Sequence, residues 1–219
     1  MTQTLSDALQ GVAAERSESL LSTIRENNER SNRKIVVLDD DPTGTQTVYD
    51  TPVLTTWGVE ELEAALDSPS NLFYVLTNSR ALSEPEAIDL AKEIGKNLTE
   101  AARRVQKHFV VVSRSDSTLR GHYPAEVDAL AEAVGIPEAV HVIAPFFLQG
   151  GRYTINDVHY VAESDGLVPA AETPFAKDAA FGFQNSNLKR WVCEKHNDDL
   201  NPEQIVSVGL NELRASDLS

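Results

Sequence analysis

The run IVVLDDDPTGT, residues 35–45, decides how the rest of the chain is read. Ile35, Val36, Val37 and Leu38 follow one another without polar alternation, the pattern of a strand buried on both faces, as in a parallel sheet. Three carboxylates come next, Asp39, Asp40 and Asp41, then Pro42, Thr43, Gly44 and Thr45. In doubly wound folds ligands sit outside the carboxyl ends of the strands, so polar residues placed directly after such a run are the first to inspect. Adjacent carboxylates repel one another unless a metal, a cation or ligand hydroxyls accept them. A ligand role for the triplet is therefore weighed against plain capping and turning. Gly44 lets the backbone pass close to a ligand, Thr43 and Thr45 add hydroxyls, and Pro42 stiffens the turn.

Working outward, residues 52–57, 72–76, 109–112, 140–143 and 205–208 read as further strands. Helical patterns alternate with the earlier ones. One starts at Ser83 as N-cap, with Glu86 three residues on to complete a capping box, and carries Ala87, Ala91, Ile94, Leu98, Ala101 and Val105 on one face. Another has Pro124 in its first turn and stops at Gly135 before Pro137. Strand and helix in alternation predict an α/β fold: a mostly parallel, Rossmann-like sheet with helices on both faces. After Pro145 a glycine- and aromatic-bearing stretch leads into an acidic loop, which predicts a hairpin-like excursion in the C-terminal third. Ser186 is expected to cap a short helix holding Leu188, Trp191 and Val192. Residues 1–33 read as leader helices with a polar linker, and residues 34–219 as one domain, cut short because it stops soon after its last expected strand.

The chain has 219 residues, enough for a substantial core. Acidic residues number 34 against 19 basic, a net charge of -15, which is the wrong sign for neutralising phosphate backbones or anionic lipid. Nucleic-acid and membrane partners are not expected. Cys193 is alone and reads as a small packed side chain. No apolar run approaches the ~18 residues of a membrane span, and Asp7, Glu15 and Glu18 interrupt any signal sequence, so a cytoplasmic location is expected.

Two further loops follow strand ends. One holds Thr77, Asn78, Ser79 and Arg80. The other runs through Arg114, Ser115, Asp116, Ser117, Thr118, Leu119, Arg120, Gly121 and His122. The second concentrates two guanidiniums, a carboxylate and hydroxyls, a chemistry suited to a small polyhydroxylated anion. Arginine forks bind carboxylate or phosphate, and an aspartate accepts from sugar hydroxyls and can remove a proton from one. A salt-bridged helix-capping loop is the structural alternative. His108, His122, His141, His159 and His196 lack ligand spacing, so no metal site is expected. Neither G-x-x-x-x-G-K-[ST] nor G-x-G-x-x-G occurs, which removes the usual sequence evidence for a nucleotide site, and G-x-S-x-G is missing too.

These strings carry a resemblance. A strand followed by D-D-x-T-G (40–44) and a later D-S-T-x-R-G (116–121) resemble the four-carbon acid sugar kinase family, specifically its sugar-binding N-terminal half. VLDDDPTGTQTV (37–48), LTNSRAL (76–82), SRSDSTLRGHYP (113–124), PFFLQGGRYT (145–154), AETPFAKDAAFGF (171–183) and SNLKRWV (186–192) are similar to one branch of it. The resemblance implies ATP-dependent phosphorylation of the C4 hydroxyl of a threonate, erythronate or 3-oxo-tetronate. ATP and Mg2+ are then expected on a separate C-terminal domain, supplied in cis or in trans, so this chain alone is expected to turn over negligibly. Asp40, Asp41, Thr43 and Gly44 match the first motif, and Asp116, Ser117, Thr118, Arg120 and Gly121 the second. On this reading Asp41 and Asp116 are the candidate catalytic bases. Asp40, Thr43, Gly44, Arg80, Arg114, Ser117, Thr118, Arg120 and Gly121 bind substrate, with Arg114 and Arg120 on its carboxylate. Arg114 stands where many relatives have Lys.

Two rival readings remain from the residues. Asp39-x-Asp41-x-Thr43 after a strand, with Leu76-Thr77-Asn78 later, fits a haloacid-dehalogenase-type phosphatase, although no later strand ends in paired acids. A non-catalytic sugar-acid-binding module is the other. Self-association into a homo-oligomer is compatible with any of these.

Overall fold

The computed structural model describes residues 3–15 and 19–214. In chain order these form α1 (Leu5–Ala8), α2 (Leu21–Ser31), β1 (Arg33–Asp39), β2 (Val53–Leu54), α3 (Val59–Asp67), β3 (Leu72–Leu76), α4 (Glu84–Val105), β4 (His108–Arg114), α5 (Ala125–Ala133), β5 (Arg152–Ile155), β6 (Val158–Glu163), β7 (Gly166–Pro169), α6 (Leu188–Lys195) and α7 (Leu210–Arg214). The fold is α/β, with helices flanking a parallel four-stranded sheet and a separate antiparallel three-stranded sheet in the C-terminal part. The chain clusters into two compact units.

The sheet unit comprises Ser19–Asp116 and Gly121–His141. Its strand order is β2-β3-β1-β4, all parallel, so the apolar run quoted above lies inside the sheet. Val36 and Leu38 of β1 and Phe73 and Val75 of β3 meet Leu62 and Leu66 of α3, Ile94 and Leu98 of α4, and Leu130 of α5. Each such side chain contributes roughly 1.5–3 kcal/mol by leaving water. The helix α4 starts as its sequence predicts: the Glu86 carboxylate accepts from the Ser83 backbone N–H at 2.9 Å and from its hydroxyl at 2.6 Å. It stops at Gln106, which turns left-handed with φ 54°.

The hairpin unit comprises the described part of Met1–Glu18, with Ser117–Arg120 and the described part of Val142–Ser219. Here β5, β6 and β7 pair antiparallel in sequence order. Asn156 and Asp157 join β5 to β6 with φ 50° and 65°, the two positive values that a tight type I′ connection demands. The leader has a packing role in this unit. Leu167 donates its backbone N–H to the Gln3 carbonyl at 2.7 Å, and Ala8 of α1 is buried with Ile155 and Leu167. Cys193 is buried on α6 beside Trp191 and Val192.

Several boundaries differ from expectation. Residues 140–143 form no strand: β4 pairs with β1 alone among the described strands, and Val140 and Val142 remain 90% and 87% exposed. Residues 205–208 form none either, with Val206 87% exposed. Apolar β-branched residues favour a strand only where a neighbouring strand supplies ladder partners, and neither segment has one. The strand expected at 52–57 contracts to Val53–Leu54. Asn187, not Ser186, caps α6 through a side-chain bond to the Arg190 N–H at 3.3 Å, while the Ser186 hydroxyl accepts from the Ala171 N–H at 2.8 Å. The polar run expected as a linker belongs largely to α2, which ends at Asn32 in the left-handed conformation.

Candidate functional site

Three strand ends meet in the sheet unit, because parallel strands in register deliver their C-terminal residues to one edge. Asp39 pairs in register with Leu76 of β3 and Arg114 of β4. The loops after β1, β3 and β4 therefore emerge together, as the doubly wound pattern predicts.

The three aspartates take three different roles. Asp39 has no exposed surface. Its Oδ1 accepts from Arg114 Nη1 at 2.8 Å, while its Oδ2 has no partner. Burial pushes this carboxyl above the usual range, against the lowering influence of Arg114. Asp40, 4% exposed, receives the Arg80 guanidinium as a fork, Nη2 to Oδ1 at 2.5 Å and Nε to Oδ2 at 3.0 Å, and Oδ2 also accepts from the Ser115 hydroxyl at 2.6 Å. Asp41 is the most open of the three. Its Oδ1 accepts from the Thr43 N–H at 2.8 Å and from the Thr43 hydroxyl, which holds its carboxyl below the ordinary value.

Arg80 is the hub. Besides Asp40, its Nη1 lies 3.4 Å from Asp41 Oδ2 and 3.9 Å from Asp116 Oδ1. Burial works to lower its pKa, and the Asp40 hydrogen bond and the surrounding carboxylates outweigh it, so the guanidinium is held more firmly charged than usual. Two glycines are required by this crowding. A Cβ on Gly44 would enter the Arg114 guanidinium and the Asp39 carboxylate, and one on Gly121, at φ 148°, would enter the Ser115 hydroxyl.

Beneath the aspartates lies a polar chain that joins Thr77, Ser79 and His122 of the strand-end loops to Glu126, which the sequence did not single out. The Thr77 hydroxyl donates to the Asp39 carbonyl at 3.0 Å, and the buried Ser79 hydroxyl donates to Glu126 Oε1 at 2.8 Å. Glu126 stands in the first turn of α5, where an acid ordinarily reads as a partner for the helix dipole. Burial instead pushes its carboxyl up to about 7. His122 Nε2 is 3.1 Å from both the Ser79 and Leu82 carbonyls, so that nitrogen carries the proton.

Of the expected site residues, Asp40, Asp41, Thr43, Gly44, Arg80, Arg114, Asp116 and Gly121 fall in the sheet unit, and Ser117, Thr118 and Arg120 in the hairpin unit. There the Ser117 carbonyl lies 2.8 Å from Nε2 of the fully buried His159, and Arg120 Nε donates to the buried Thr118 hydroxyl at 3.2 Å. Arg120 Nη1 lies 3.5 Å from Asp178, whose carboxyl is held below its usual range chiefly by the N–H groups of Ala180 and Phe181. Arg114, expected on a substrate carboxylate, is seated on Asp39. Among the described residues no cluster of three or more His, Cys, Asp or Glu is arranged to hold a metal ion.

Residues 35–217 match the family model described as a sugar-binding N-terminal domain. The chain is 31% identical over 106 residues to a D-erythronate kinase of Heliobacterium modesticaldum, covering 48% of this chain and 21% of that kinase. It is 32% identical over 130 residues to a D-threonate kinase of Bordetella bronchiseptica, covering 58% of this chain and 30% of that one. A crystal structure of a domain of unknown function from Bordetella bronchiseptica, a domain-swapped dimer with bound citrate, is similar with a TM-score of 0.54 and 27% identity, over 73% of this chain and 39% of that one. The chain thus spans less than a third of either curated relative.

Proposed function

The chain belongs to the sugar-binding N-terminal domain family, and from that premise we propose that it is the sugar-acid-binding part of an ATP-dependent kinase acting on the C4 hydroxyl of a four-carbon sugar acid. The observation that carries this reading is the set of carboxylates gathered on Arg80. Asp40 is consumed by the fork, whereas Asp41 and Asp116 reach Arg80 at longer range. A hydroxyl that donates to either is oriented, and gives up its proton there as its oxygen takes the terminal phosphoryl group of ATP and ADP leaves.

The low pKa of Asp41 is not a handicap in this role. Phosphoryl transfer proceeds through a loose transition state in most analyses, so the alcohol proton leaves late and positioning outweighs basicity. An aspartate that is ionised at neutral pH is always ready to accept. Of the two arginines expected on the substrate carboxylate, Arg114 is engaged by Asp39 and Arg120 has Asp178 at 3.5 Å. ATP and Mg2+ are bound by residues outside this chain.

The test is a thermal-shift titration of the 219-residue chain with D-threonate, D-erythronate and 3-oxo-tetronate, and with MgATP separately. At about 100 times Kd a bound acid adds roughly 2.7 kcal/mol, a rise of roughly 5–10 °C in Tm. Stabilisation by a sugar acid and not by MgATP is the expected result, and Asp116→Asn is expected to abolish it. Equal response of the Asp116→Asn variant would sink the assignment of that carboxylate.

A further inference from the structure

The hairpin unit holds two guanidiniums against one aromatic ring. Arg120 Cζ lies 5.1 Å and Arg152 Cζ 5.5 Å from the centroid of Phe175. Like charges repel, and the negative face of the ring relieves only part of that repulsion. Arg120 has Asp178 and the Thr118 hydroxyl beside it. Arg152 is differently placed. Its Nη1 donates to the Gly150 carbonyl, no carboxylate among the described residues lies within ion-pair distance of it, and its enclosed Nε–H meets no acceptor.

A chain with 34 acidic residues and 19 basic ones has carboxylates to spare. A half-buried guanidinium left without one costs stability, because an enclosed N–H without an acceptor loses its hydration and gains nothing. The fixed planar fork of arginine matches the paired oxygens of a carboxylate or phosphate. The local structure holds both partners in place. The tight Asn156–Asp157 connection fixes β5, at whose start Arg152 stands, and the 3-10 turn Pro174–Lys177 carries Phe175, tied down by the Phe183 N–H to the Ala176 carbonyl at 3.1 Å.

We propose that Arg152, stacked with Arg120 on Phe175, forms an oxyanion-binding site that takes a carboxylate or a phosphate group. Naming the sugar acid as the source of that carboxylate rests on the function proposed above; the anion site itself does not.

Calorimetric titrations of the full chain and of Arg152→Gln with D-threonate, inorganic phosphate and threitol test it, threitol having the carbon skeleton without the carboxylate. The chain is expected to bind at least one of the two oxyanions and to prefer it over threitol, with Arg152→Gln weakening it by about tenfold or more. Equal affinity in the chain and the variant overturns the proposal, as does failure of the chain to bind either oxyanion. Phosphate binding that Arg152→Gln abolishes, with no sugar-acid binding, upholds the anion site and removes the sugar-acid reading. Sugar-acid binding indifferent to Arg152→Gln does the reverse. Should Arg152→Gln not fold, Arg152→Lys keeps the charge and removes the fork, and a loss of oxyanion affinity in it decides the question.

Discussion

In the sheet unit Arg80 and Arg114 each sit on aspartates a few ångströms away, Asp40 and Asp39, and every one of those four groups is mostly enclosed. In the hairpin unit Arg152 is also partly enclosed, yet rests on an aromatic ring and a backbone carbonyl. The first arrangement gives each guanidinium a carboxylate from within the fold and so builds rigidity. The second leaves a cation whose best partner must come from outside. A buried guanidinium thus reads as structural or as receptive according to whether the fold has supplied its carboxylate.

The harshest way to break this comparison is to remove a partner from the matched pair. Asp40→Ala leaves Arg80 without its fork, and breaking a buried pair on one side costs about 3–5 kcal/mol. Urea denaturation is expected to show that loss, and a variant as stable as the parent would mean that Arg80 is not held by Asp40.

Next in size is a pH effect at Glu126. Its carboxyl lies near 7 in the fold and returns to its ordinary 4.5 when the chain unfolds. Between those values the folded chain keeps a proton that the unfolded chain has lost, so this group's contribution falls as pH rises through the window, by up to roughly 3 kcal/mol. Denaturation midpoints at about pH 5 and about pH 8 are expected to decline for the parent relative to Glu126→Gln. Parallel profiles would show that Glu126 is not enclosed. Asp41 has the opposite sign: its lowered pKa adds stability that is present at neutral pH and lost on acidification.

A smaller effect separates the site from the scaffold beneath it. Ser83→Ala removes one half of the α4 capping box and is expected to cost about 1 kcal/mol in thermal denaturation, leaving sugar-acid affinity unchanged. The smallest expected change sharpens the contrast most. Arg152→Met keeps the apolar stem and deletes the unmatched charge, so its stability is expected to stay within about 1 kcal/mol of the parent. A loss as large as that of Asp40→Ala would show that Arg152 is structural after all.

Much of the sheet unit was legible in the sequence because its signals are local. The unbroken apolar run at residues 35–38 and the Ser83–Glu86 spacing each specify an element without reference to anything distant. The hairpin followed from glycines and aromatics in the same way. Residues 140–143 and 205–208 were misread since β-branched composition says nothing about whether a pairing partner exists. The aspartate crown was visible as a cluster of polar strand ends, but its assignment of partners was not. Arg114 has the chemistry of a substrate ligand until register places it on Asp39. Glu126 and Arg152 escaped notice for the same reason: an acid in a first helical turn and an arginine after two glycines are ordinary locally. Only tertiary packing makes one half-neutral near pH 7 and the other unmatched.

The contacts of Asp40 also set an order of events during synthesis. Its partners Arg80 and Ser115 lie 40 and 75 residues further along the chain. At the roughly 5–20 residues per second of translation, Asp40 waits about 4–15 s between its own emergence and that of Ser115. Until Arg80 and Arg114 have been made, Asp40 and Asp39 lack their guanidinium partners and stay hydrated, and hydrated charge at its end disfavours premature association of the apolar strand just before them. The acidic triplet is in this sense a placeholder, guarding the central strand until its neighbours have been made.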